Sequence, residues 1–139
     1  SRYEILLENY SKTINIEALT MVDMLKKDIM PAVSRYANTL SMAALNKKAL
    51  SPDLNCEMEE SLVKKISNLS ACLYRKTCAL ESALLGVKEY DDVKEQAVYY
   101  RDVVFAAMAE AREAADELEA LTAEDFWPFP TYSKLIFNV

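Results

Sequence analysis

Four carboxylates lie close together late in the chain: Glu110, Glu113, Asp116 and Glu117. At these spacings they are neighbours on a helix surface, the way helical bundles present carboxylates to a pair of metal ions. Such sites usually add a histidine three residues from a glutamate, and the 139-residue sequence contains 0 histidines. Its absence also removes the commonest general base and the commonest transition-metal ligand. Neither serine nor cysteine therefore has a histidine to activate it as a nucleophile. The heptad frame described below puts Glu113 and Asp116 on the outer face, with Glu110 and Glu117 flanking the seam. They read as a solvated acidic face. No catalytic, cofactor-binding or metal-ligating residue can be named.

The remaining chemistry-bearing types give the same result. Tyr99 and Tyr100 are adjacent rings that a ligand could stack on, but one falls on the helical seam and the other beside it, as core rings do. The 6 methionines, Met21, Met24, Met30, Met42, Met58 and Met108, are scattered along the chain and read as core filling. The 3 cysteines, Cys56, Cys72 and Cys78, have no metal-ligand spacing, and on a helix Cys72 and Cys78 project from different faces. They read as reduced structural thiols in a cytoplasmic protein. The chain has 1 glycine, Gly86, which excludes phosphate-cradling loops and dinucleotide fingerprints.

Three long segments with helical periodicity account for most of the chain. Along the first, Tyr3 to Leu50, Tyr10, Ile14, Ala18, Met21, Leu25, Ile29, Val33, Tyr36 and Leu40 trace one stripe. Pro31 predicts a kink, or a break into two helices, near Ile29 and Met30. Ser51-Pro52-Asp53-Leu54-Asn55 is a turn in which Ser51 or Asn55 could cap the next helix, with Glu57, Glu59 and Glu60 favourably placed at its N-terminus. Met58, Leu62, Ile66, Leu69, Leu73, Leu80 and Leu84 carry that helix to Gly86, read as a left-handed stop. Asp92 and Glu95 resemble a capping box. Val93, Ala97, Tyr100, Val104, Ala107, Ala111, Ala114, Leu118 and Leu121 then form a strict heptad seam. The expected fold is all-α, an antiparallel up-down-up bundle of three long helices over residues 1–125.

Residues 126–139 differ in kind. Phe126-Trp127-Pro128-Phe129-Pro130 is followed by Tyr132, Leu135, Ile136 and Phe137. Closely spaced prolines favour an extended path. Burying three such aromatic rings is worth several kcal/mol at ~25 cal/mol per Å². Phe126, Trp127, Pro128, Phe129, Pro130 and Tyr132 form a candidate docking tail for the rest of a larger protein, with packing on the bundle itself as the competing reading.

The formal net charge of −6 speaks against nucleic-acid binding, which rests on neutralising phosphates. No apolar run approaches the ~18 residues of a membrane span, and no signal-peptide pattern opens the sequence. The sequence starts at Ser1 within a helical pattern, so it is read as a piece of a longer chain.

Two stretches have a more specific likeness. Arg2-Tyr3-Glu4 through Glu8-Asn9-Tyr10, Ile14-Asn15-Ile16-Glu17-Ala18-Leu19-Thr20, Lys26-Lys27-Asp28-Ile29 and Pro31-Ala32-Val33-Ser34 resemble the C-terminal region of type III glutamine synthetases. Trp127-Pro128-Phe129-Pro130-Thr131-Tyr132, with Leu135 and the final valine, is similar to that family's C-terminus, while Ser51 to Ala120 matches only as generic heptads. The resemblance implies a helical accessory domain with a structural or assembly role, inactive in isolation. The parent enzyme it implies ligates ammonia to glutamate with ATP and a divalent metal, Mg or Mn, in a dodecamer with active sites between subunits. The implied partners are the catalytic domain of the same chain and neighbouring subunits. The family's catalytic residues lie upstream of Ser1, so none is carried onto this chain. A free-standing coiled-coil interaction module is the alternative, and a small carboxylate-metal enzyme is a third.

Overall fold

Proline in a helix lacks an amide donor, and its ring crowds the carbonyl four residues back. Around Pro31 the chain accommodates both by widening. Helix α1 (Arg2–Met24) passes into a π-helical turn (Leu25–Ile29), in which the Met30 amide donates to the Leu25 carbonyl, and then into α2 (Met30–Leu50). The computed structural model describes residues 1–130, and the helical run from Arg2 to Leu50 is unbroken. It forms a rod of about 70 Å at 1.5 Å per residue. The expected discontinuity at Pro31 is a change of helical pitch just before the proline.

Helix α3 (Glu57–Gly86) is the second rod. Its N-cap residue is Cys56, which gives no side-chain cap; Asn55, one position earlier, accepts the Glu57 amide on its Oδ1 at 2.8 Å, while Ser51 Oγ accepts the Asp53 amide at 3.3 Å inside the turn. Gly86 corrects the sequence reading. It has right-handed φ and ψ of −67° and −16°, and the chain continues through a short 3-10 turn, Val87–Glu89. The glycine is needed for a close approach instead: a Cβ there would collide with the Tyr99 hydroxyl.

The third rod comprises α4 (Val93–Tyr99), a second π-helical turn (Tyr100–Val104) and α5 (Phe105–Leu121). Asp92 Oδ2 accepts the Glu95 amide at 3.1 Å, as the capping pattern predicts.

Pairings across the rods fix their directions. Lys47 meets Glu59 and Lys26 meets Glu81, so the first and second rods are antiparallel. Ala83 with Tyr99 and Lys76 with Glu110 make the second and third antiparallel. Tyr100 bonds Asn15, and the Phe126 ring lies 5.2 Å from that of Tyr36, so the first and third run parallel. This is the expected up-down-up bundle. Its interior has two apolar clusters. One is built on Leu25, Ile29, Val33, Ile66, Leu73, Leu118 and Trp127, the other on Ile14, Ala18, Leu80, Tyr100, Val104 and Met108.

The third rod's seam is wider than a strict heptad line. Ala97, Tyr100, Val104, Ala111, Ala114 and Leu118 are buried as predicted, while Val93, Ala107 and Leu121 are half-buried. Met108, Ala115 and Thr122 are buried beside them. A rod that touches two neighbours needs more than an a/d line, and the π-helical turn adds a residue to the repeat just ahead of Met108. Met58, assigned to the α3 seam, is exposed, whereas Glu59 next to it is buried. Met24 and Met42 are also exposed, so core filling describes only part of the methionine set.

Candidate functional site: an apolar cleft bordered by the aromatic tail

The tail begins with a turn. The Thr122 hydroxyl donates to the Leu118 carbonyl at 2.7 Å, and the Phe126 and Trp127 amides both donate to the Ala123 carbonyl, at 2.9 and 3.1 Å. This reverses the chain at the end of α5 and sets the aromatic residues against the bundle. Phe126 packs its ring against Tyr36 at an interplanar angle of 48°. Trp127 is 9% exposed and belongs to the core cluster of Leu25, Ile29 and Leu118. Phe129 is half-buried against the same cluster, and Pro128 and Pro130 are exposed. Tyr132 lies outside the described residues.

Trp127 and Phe129 line a cleft of about 590 Å³ between the first and third rods. Its apolar lining includes Met21, Met24 and Met108, and Glu17, Arg112, Asp116 and Glu119 also border it. The fold thus brings Met108 of the third rod to Met21 and Met24 of the first. Flexible thioethers beside aromatic rings suit apolar contact with an irregular surface. The Trp127 Nε1 proton is buried without an acceptor; an indole N–H in that position costs on the order of 1–3 kcal/mol.

The four carboxylates of the third rod are all exposed, as a solvated face requires, and Glu110 pairs with Lys76 at 3.3 Å. Among the described residues no three His, Cys, Asp or Glu side chains converge as a metal site would need. Tyr100 is buried and donates to Asn15 Oδ1 at 3.1 Å; Tyr99, beside it, donates to the Ala83 carbonyl at 2.6 Å. Burial pushes both phenols up from their ordinary value, with nearby charge adding to it. The three cysteines are free, and the buried Cys56 thiol donates to the Ala44 carbonyl at 3.5 Å.

One polar pair escaped the sequence reading. Glu59 is 3% exposed and meets Lys47 at 2.5 Å near the end of the α2–α3 hairpin. The hydrogen bond from Lys47 holds the Glu59 carboxyl below its ordinary value, and the bond to Glu59 raises Lys47. The signal was present in the spacing: Glu59, Leu62, Ile66, Leu69 and Leu73 alternate by three and four, so Glu59 occupies a seam position. Its other oxygen, Oε1, is buried without a partner.

This geometry offers helix surfaces and an apolar cleft. Comparison with known proteins gives it a family. A model of the glutamine synthetase C-terminal domain matches residues 1–48. A glutamine synthetase of Butyrivibrio fibrisolvens is 38% identical over 139 residues, covering 100% of this chain and 20% of the relative. A type-3 glutamine synthetase of Dictyostelium discoideum is 28% identical, and a glutamine synthetase of Bacteroides fragilis 25%; each alignment covers 99% of this chain and 19% of the relative. The chain therefore spans about a fifth of the length of the curated relatives it matches. An all-helical bundle aligned from end to end with these relatives belongs to the glutamine synthetase family as its C-terminal domain, with a type-3 enzyme among its kin.

Proposed function

We propose that this chain is the structural and assembly domain of a type III glutamine synthetase, inactive by itself, in a parent that ligates ammonia to glutamate with ATP. The observation that carries this reading is the alignment of the whole chain, at 38% identity, with one fifth of a glutamine synthetase. By the family relationship, ATP and the divalent metal, Mg or Mn, belong to parts of the parent outside this chain. The partners are the catalytic portion and neighbouring subunits of a dodecamer. Free thiols suit a cytoplasmic setting, and no described helix is long and apolar enough to cross a membrane.

Within this role Phe126, Trp127, Pro128, Phe129, Pro130 and Tyr132 form the docking clip of a domain whose bundle is residues 1–125. Deleting residues 126–139 from the parent tests the clip. A smaller oligomer is expected, and an unchanged oligomer overturns the clip. Oligomer size is the appropriate readout, because Trp127 also contributes to the local core. Assay of the intact parent for ATP-dependent glutamine formation tests the enzymatic half.

The burial of Trp127 on its own bundle favours a second reading, a free-standing helical interaction module. The mass of the native polypeptide discriminates. A chain several times heavier than 15.7 kDa supports the synthetase domain, and one of about that mass supports the module.

A further inference from the structure

Trp127 and Phe129 carry the chain along the wall of the apolar cleft, and residues 131–139 start from that wall. Phe129 packs on the cluster of Leu25, Ile29 and Leu118, toward one end of the cleft, while Ile16 and Met108 mark the other. Along the first rod Ile16 and Ile29 are 13 positions apart, about 20 Å at 1.5 Å per residue. Nine residues in extended form reach about 30 Å, enough to follow the cleft from end to end. Pro128 and Pro130 favour an extended entry into it.

The pattern of residues 131–139 fits the lining. An extended chain sends Leu135, Phe137 and Val139 to one side, and Tyr132, Lys134, Ile136 and Asn138 to the other. Met21, Met24 and Met108 on the walls are the flexible side chains that shape themselves to such an apolar edge. The polar border is charged in a complementary sense. It sets Glu17, Asp116 and Glu119 against Arg112 alone, and Lys134 is the single charged side chain of residues 131–139. A second copy of the bundle is disfavoured on the same ground, because it brings the same acidic border and a net charge of −6.

We infer that the cleft is occupied by residues 131–139 of the same copy, with Leu135, Phe137 and Val139 inward and Lys134 at the carboxylate border. This goes beyond the proposed function, which names no seat for the end of the tail. The test uses the full-length parent with a benzophenone amino acid at Phe137 or, separately, at Asn138, whose replacement deletes no apolar contact. After irradiation, mass spectrometry is expected to show cross-links to peptides carrying Met21, Met24 or Met108. In a mixture of isotopically light and heavy parent, those links join peptides of one label. Links between labels, links to peptides outside these 139 residues or to another surface of the bundle, or no link to the cleft from either position overturn the inference. A second readout needs no bulky side chain. Under hydrogen peroxide, Met24 should oxidise about three-fold faster or more in a parent truncated after Pro130 than in the intact parent. Met42 and Met58, exposed and outside the cleft, should keep their rates. An unchanged Met24 rate overturns the inference. So does equal acceleration at Met30, half-buried and outside the cleft wall, because that reports a general loosening of the bundle. Oligomer size reads the clip and glutamine formation reads the enzymatic half, so their failure is distinguishable from failure of this seat.

Discussion

The hydroxyl of Tyr99 occupies the space that a Cβ on Gly86 would need, and a ring carbon of Tyr99 lies only 3.2 Å from that position. The ring is held there at both ends, by a hydrogen bond to the Ala83 carbonyl at 2.6 Å and by the Tyr90 ring at 5.0 Å. Ordinarily, glycine to alanine at a right-handed helical position stabilises a protein by about 0.5–1 kcal/mol. Here the sign should reverse. Gly86→Ala has to displace a hydrogen-bonded ring, an overpacking cost of about 1–3 kcal/mol. In a Tyr99→Phe background, where the hydroxyl is gone, the same change should cost clearly less. Thermal melts of the four proteins in this double-mutant cycle measure the coupling, and additive effects would show that Gly86 and Tyr99 are independent.

The Lys47–Glu59 pair predicts a limit to stability on each side of neutral pH. Glu59 is depressed in the fold, so its contribution is present above its ordinary value of 4.5 and is lost as pH falls through the lower folded value. Lys47 is raised, so its contribution is present below 10.5 and is lost as pH rises through the higher folded value. Glu59→Gln should flatten the acid limb of a melting-temperature profile without changing its neutral plateau in proportion. Lys47→Met leaves a buried carboxylate alone and should lower the plateau more than Glu59→Leu, which removes the buried charge itself. A Lys47→Met protein as stable as Glu59→Leu at pH 7 would mean that Glu59 is solvated.

Glu113 and Asp116 are exposed on the third rod, Asp116 at the border of the cleft. Glu113→Gln and Asp116→Asn, alone or together, should change stability by no more than about 0.5 kcal/mol. Calorimetric titration of the chain with Mn²⁺ should give the same trace before and after the substitutions. A heat of binding that disappears in the double variant would restore the metal-site reading of these carboxylates.

The bundle was legible because periodicity is a long-range property of each rod: Val104, Ala111 and Leu118 keep their spacing whatever happens locally, and all three are buried. Features that depend on one residue's neighbour in another rod were not legible. A lone glycine at a helix end usually marks a left-handed stop, and nothing in the sequence around Gly86 shows that Tyr99, thirteen positions later, returns to fill its missing Cβ. Acidic residues are common at a helix start, which masks Glu59 among Glu57 and Glu60, although its spacing to Leu62 and Ile66 places it on the seam. The cleft was invisible for a similar reason. Met108 meets Met21 and Met24 only because the first and third rods pack side by side. The aromatic tail stood out by composition alone, but whether Trp127 packs inward depends on the turn at Ala123, which composition does not encode.

Trp127 is the 1 tryptophan of the chain, so its environment can be read directly. Buried against Leu25, Ile29 and Leu118, it should emit to the blue of a free indole and resist quenching by acrylamide. Trp127→Ala removes a large core side chain and should cost about 3–5 kcal/mol. Trp127→Phe keeps most of the apolar surface and removes an N–H that has no acceptor, so it should cost markedly less. The comparison separates two sources of stability at this position. If the indole N–H had a hidden partner, such as an ordered water, Trp127→Phe would approach the cost of Trp127→Ala. If the ring lay on the surface, both variants would melt with the parent chain and its emission would be that of a solvated indole. Chemical denaturation followed by far-ultraviolet circular dichroism gives the free energies independently of the fluorophore that is being replaced.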